Sequence, residues 1–118
     1  MKKILIIFCV FISIVSCDDI IEVEDISNKT VTILAPTNDS VLDITDVTFT
    51  WQSVEDAERY TIQIATPDFE TADQIVLDST ITSTSFLKTL ATGVYQWRVK
   101  AKNSDYETAY TSQNLTIE

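Results

Sequence analysis

Residues 93–103, GVYQWRVKAKN, set Tyr95, Trp97, Val99 and Ala101 in alternation with Gln96, Arg98, Lys100 and Lys102. A period of two describes a strand with one buried face and one wet face, and it excludes an amphipathic helix. Aromatic and branched side chains on a single face need a second layer to cover them, so the stretch reads as the central strand of a β-sandwich.

The chain before and after it supplies the other strands. Residues 30–34, TVTIL, form a short β-branched strand that ends at Pro36 and the turn-rich Thr37-Asn38-Asp39-Ser40. Val47, Phe49 and Trp51 alternate with threonines in a second strand, and Tyr60, Ile62 and Ile64 mark a third that ends at Pro67-Asp68. Residues 69–74 read as an irregular connection, 75–78 as a weak edge strand and 82–86 as another strand. After the central strand, Asn103-Ser104-Asp105 turns the chain, and 114–118 closes the sheet with Leu115 and Ile117 inward. Short strands separated by regular turn signals give an all-β expectation: a seven-stranded antiparallel sandwich over residues 30–118, in one domain.

Of the eight basic residues, Lys2 and Lys3 lie in the leader; from Cys17 onward six basic side chains face eighteen acidic ones, a balance of −12. Such a charge repels phosphate, so nucleic acid is not an expected partner. One glycine and no histidine remove the phosphate-cradling glycine loop, the histidine-based triad and histidine-ligated zinc. The carboxylate pairs Asp43 with Asp46, Glu55 with Asp56 and Glu58, and Asp68 with Glu70 fall in turns, without the loop spacing of a calcium site. No catalytic residue, metal or cofactor is expected, and the chain is read as a non-enzyme.

The first residues point to a compartment. Lys2-Lys3 is followed by an apolar run from Ile4 to Val15, broken only by Ser13, and then by Ser16 and Cys17. As a helix that run reaches ~18 Å against ~30 Å of bilayer hydrocarbon, which suits a secretory signal better than a membrane span. Ile14-Val15-Ser16-Cys17 resembles the lipobox of bacterial lipoproteins. The resemblance implies a signal peptide over 1–16, removed on maturation, and fatty acyl chains on Cys17 that anchor the protein in a membrane. Cys9 would leave with the signal, so no disulfide is expected in the mature chain. Residues 17–29 then read as the lipidated cysteine and an acidic, flexible tether, extended by self-repulsion.

From residue 35 to 118 the chain resembles the fibronectin type III family. The likeness rests on Trp51 ending the second strand, Ala57 and Tyr60 opening the third, Leu90 and Gly93 at a corner, and Tyr95, Trp97, Arg98, Val99, Ala101 and Asn103 in the central strand. It implies that the hydroxyl of Tyr95 caps the corner, although Thr92 stands where a proline is usual and Tyr95 lies one residue nearer Gly93 than is common. The acidic residues Asp18 and Asp19 behind Cys17, together with such a domain, resemble small Bacteroidota surface lipoproteins, which implies an outer-membrane, outward-facing location. FTW and YTIQI are also similar to the N-terminal domain of starch-binding surface lipoproteins.

Two functions follow as expectations. The first is a lipid-anchored, non-catalytic envelope module that binds another envelope protein or acts as a spacer. The alternative is a glycan-binding accessory of an outer-membrane nutrient-uptake system, with Tyr106, Tyr110 and Phe69 as candidate stacking surfaces. Trp51, Tyr60, Tyr95 and Trp97 are assigned to the core, their N–H and O–H groups needing partners at its rim. The basic row Arg98, Lys100 and Lys102 is expected to face acidic rows on neighbouring strands. Asp39-Ser40-Val41 and Asp78-Ser79-Thr80 resemble a Bacteroidota O-glycosylation motif, making Ser40 and Ser79 candidate acceptors.

Overall fold

The computed structural model describes residues 22–118. They form β1 (Ile33–Ala35), β2 (Ser40–Leu42), β3 (Asp46–Trp51), β4 (Arg59–Thr66), β5 (Gln74–Ile81), β6 (Ser85–Thr89), β7 (Gly93–Lys102) and β8 (Thr111–Ile117), with no helix among the described residues. Two sheets face each other: β1-β3-β6, and β2-β8-β7-β4-β5 with β7 in the middle. The alternating stretch is thus the central strand of the larger sheet.

Its buried face and that of β3 make the core. Trp97, Val99, Ala101 and Phe49 are fully buried, Trp51 is 2 % exposed, and Ile62, Ile64, Leu115 and Ile117 complete the layer. Phe49 meets Trp97 edge to face at 4.7 Å between centroids, and Trp51 meets Tyr60 at 5.7 Å. This geometry matches ring edge to ring face and adds to the burial energy.

Eight strands stand where seven were expected, and one pairing is parallel. β2 runs parallel to β8, with Ser40 opposite Leu115 and Leu42 opposite Ile117. Three residues are too few to show a period, and this strand exists through bonds to the far end of the chain. Asp39 N–H donates to the Asn114 carbonyl (2.9 Å), Glu118 N–H to the Leu42 carbonyl (2.8 Å) and Asn114 N–H to Asn38 Oδ1 (2.8 Å). Further along, β5 runs on to Ile81, and β6 starts three residues later than the strand expected at 82–86.

The acidic lead-in also differs from expectation. Ile26 is fully buried in the same core cluster as Trp51 and Tyr60. Lys29 N–H closes a turn on the Ile26 carbonyl (2.9 Å), and Thr111 Oγ1 holds the Val31 carbonyl (3.0 Å). Residues 24–29, expected in a solvated tether, therefore belong to the domain. One apolar side chain with a pocket to fill outweighs the acidic neighbours, which point to water.

Candidate functional site

The outward face of β7 carries the basic row singled out by sequence, Arg98, Lys100 and Lys102. Arg98 lies opposite Gln63 on β4 and Ser112 on β8. No acidic row faces it, contrary to expectation. Its Nε donates to Gln63 Oε1 (2.8 Å), while its guanidinium lies 4.0 Å from the Phe69 ring centroid and 4.2 Å from that of Tyr110. Lys100 Nζ approaches the same Tyr110 ring at 4.6 Å. Beyond it, Glu107 takes Lys100 at 3.2 Å and Lys102 at 3.9 Å. Ring and cation therefore alternate through Phe69, Arg98, Tyr110 and Lys100, and the run ends on a carboxylate supplied by the β7–β8 loop.

This arrangement follows from register. Side chains two apart on one strand share a face, so Arg98 and Lys100 stand side by side, with room between them for the flat side chain that β8's lead-in brings across. Phe69 arrives on the β4–β5 connection. That connection is held by its own N–H, which donates to Gln96 Oε1 (2.9 Å), and by Thr66 Oγ1 on the Val94 carbonyl (2.7 Å). Ala65 pairs with outward-facing Gln96, yet it is fully buried. The basic row is thus an internal fastening of the sheet's outer face, with its charge spent on rings and Glu107.

Phe69 and Tyr110 consequently offer their faces to cations rather than to a free platform. Tyr106 does not join them. It is 38 % exposed and borders an open hollow of about 250 Å³ with Arg59, Lys102, Asn103 and Glu107. Its own N–H is tied to Asn103 Oδ1 (2.8 Å).

Asn103, by sequence a turn residue and the last position of the fibronectin type III likeness in the central strand, holds that end of the domain together. It is 3 % exposed; Oδ1 accepts from Asp105 N–H (3.1 Å) and Tyr106 N–H, and Nδ2 donates to the carbonyls of Glu24 (2.8 Å) and Asp56 (3.3 Å). One buried amide thereby joins the lead-in, the β3–β4 loop and the β7–β8 loop. The sequence signal is an Asn directly behind the last strand residue, Lys102, where Asx side chains cap turns.

The remaining candidates are scattered. Cys17 and the leader lie outside the described residues. Ser40 Oγ donates to the Thr37 carbonyl (2.6 Å) at the start of β2. Ser79 is half-buried within β5, opposite fully buried Ile62 and so on the same face of the sheet. The turn carboxylates act locally. Asp68 Oδ1 accepts from Thr71 N–H (2.7 Å) and Oγ1 (2.9 Å), bonds that hold its carboxyl below the usual aspartate range. Asp46 accepts from Thr89 Oγ1 (2.7 Å), and Asp56 takes Lys29 at 3.4 Å.

Of the core polar groups, two find partners and two do not. Tyr95 O–H donates to the Ala91 carbonyl (2.7 Å), so the corner is capped despite Thr92 and the shortened spacing. Tyr60 Oη accepts from Val54 N–H (2.9 Å). Trp51 Nε1 and Trp97 Nε1 have no partner among the described residues, against the expectation of rim contacts. Both indoles lie too deep for the rim to reach, and the bare N–H groups offset part of what ring burial contributes.

No family model matches the chain, and no curated protein does. Among solved structures it is similar to the fibronectin(III)-like modules of Clostridium thermocellum CbhA, with a TM-score of 0.55 and 12 % identity over 75 % of this chain and 96 % of that one. It also matches the fibronectin type-III domain of human fibronectin type III domain containing protein 3, at a TM-score of 0.42 and 14 % identity over 76 % of this chain and 87 % of that one. With its two facing sheets and capped corner, the chain has a fibronectin type III-like fold.

Proposed function

We propose that the protein is a lipid-anchored, non-catalytic module of the outer membrane, held through acyl chains on Cys17, facing outward, and binding another envelope protein. The observation that carries this reading is the apolar leader that ends in Ile14-Val15-Ser16-Cys17, and the seating of the lead-in fixes how close the domain stands to that cysteine. Ile26 is buried and the Glu24 carbonyl is held by Asn103, so the sandwich begins almost directly behind the anchor cysteine. Six residues lie between Cys17 and Glu24, and the seven Cα-to-Cα steps limit the stand-off to about 25 Å. The end formed by the β3–β4 and β7–β8 loops then faces the membrane, and the sides and opposite end of the sandwich face other proteins.

Lipid attachment is tested by Cys17→Ala. The variant is expected in the aqueous phase of a detergent partition with its leader uncleaved, while the parent protein enters the detergent phase. Detergent partition of the variant equal to the parent's would overturn the anchor. The glycan-binding alternative keeps Tyr106 as its free ring, since Phe69 and Tyr110 are stacked on cations. Calorimetric titration with soluble oligosaccharides decides it, with heat that disappears in Tyr106→Ala as the outcome in its favour.

A further inference from the structure

A sandwich with two open sheets has four edge strands, and an unguarded edge invites another strand. Three of the four are blunted here. β1 has three residues and a register break between Ile33 and Ala35, and β2 has three residues. β6 has five residues and sets Lys88 opposite buried Val47, so a charge stands on its inward face. Each is a recognised way of discouraging edge pairing.

β5 differs. It has eight residues, Gln74-Ile75-Val76-Leu77-Asp78-Ser79-Thr80-Ile81, with no proline, lysine or arginine, and it pairs on one side only, with β4. A bulge at Val76, opposite the Ile64–Ala65 step, guards the Gln74 end of the strand as the register break guards β1; from Leu77 to Ile81 the register with β4 is unbroken, and this is the open stretch. The adjoining Ile75 is 52 % exposed. The charge carried by β5 and the segments flanking it has one sign: residues 60–87 hold Asp68, Glu70, Asp73 and Asp78 and no cation, and the nearest cation on the outer face, Arg98, lies beyond β4 and is stacked on Phe69.

We propose that the free edge of β5 is the docking site, and that its occupant is an extended, basic segment of a partner protein which adds to the larger sheet as a further strand. The proposal rests on the reading of the chain as a protein-binding module and names the partner's chemistry. Backbone hydrogen bonds along residues 77–81 supply the pairing, and alternate basic side chains on the outer face meet Asp78 and the acidic β4–β5 connection. A second copy of the chain fits poorly, because it would bring the same acidic edge against this one. In the anchored orientation the edge runs along the side of the sandwich, with its Ile81 end toward the membrane-facing loops and its Gln74 end away from them.

The test uses the full chain in detergent micelles and a synthetic peptide alternating lysine with valine. Binding is expected to protect the amides of residues 77–81 from exchange, to weaken with added salt, and to be about tenfold weaker in Asp78→Lys, whose unchanged circular dichroism would show an intact fold. A peptide alternating glutamate with valine is the control and should not bind. Protection on β6, equal binding of the acidic peptide, or absence of binding would overturn the proposal. So would sedimentation of the chain alone as a dimer with β5 protected, which makes the occupant a second copy. In native envelopes, photo-crosslinkers at Ile75, Val94 and Leu87 separate this proposal from the reading it rests on. A protein adduct confined to Ile75 supports both, an adduct only at Val94 or Leu87 removes the β5 site and leaves the module, and no protein adduct at any of them removes both.

Discussion

Arg98 shows how a residue's neighbours change its meaning. In the sequence it is the first member of a basic row on a strand; in the structure its guanidinium is stacked between Phe69 and Tyr110 and bonded to Gln63. A planar cation suits this position and an ammonium does not, because only the guanidinium can lie flat on both rings while donating in its plane. A double-mutant cycle on Phe69→Ala and Arg98→Ala should return a coupling of about 0.5–1 kcal/mol by chemical denaturation, and additive losses would separate the pair. Alternation disclosed that Arg98 points outward. It could not disclose the stack, since Phe69 and Tyr110 reach it from loops. The hydrogen-bonded aspartates add a mild pH dependence. Asp68 and Asp25 have carboxyls held below their ordinary range, by Thr71 and Ser27 respectively, so their contribution is present above the unfolded-state pKa and fades as pH falls through the lowered one.

Among the elements, the lead-in most changes the picture drawn from composition. Five of residues 18–25 are acidic, a pattern that suits a solvated spacer, yet Ile26 sits in the core and Asn103 clips the Glu24 carbonyl. Asn103→Ala removes four hydrogen bonds made by one buried amide. Hydrogen exchange should then rise sharply across residues 24–29 and the β7–β8 loop while the β4–β7 ladder stays protected. Uniform protection in the variant would mean that the clip is incidental. Where a period of two runs for five or more residues, as in β3, β4 and β7, the strand could be located from sequence. β2 could not, because its three residues are ordered by partners on β8 and have no pattern of their own.

At the level of the whole molecule, the two sheets are joined by one aromatic interior, and stability rests on burial, with no disulfide among the described residues, which contain no cysteine. Trp51→Ala should cost about 3–5 kcal/mol in equilibrium unfolding, a large share of what so small a domain has. A melt close to that of the parent protein would place the indole outside the cooperative core. What the amino-acid sequence determined alone is the all-β class and the inward set Phe49, Trp51, Tyr60, Trp97 and Val99. Both follow from the two-residue repeat, which the backbone obeys before any long-range contact forms. The seating of Ile26, the cation–ring run on β7, the parallel β2 and the contrast between a guarded β6 and an open β5 were decided by tertiary structure. Each depends on which residues distant in the chain the two sheets bring within a few ångströms, and strand periodicity carries no record of that.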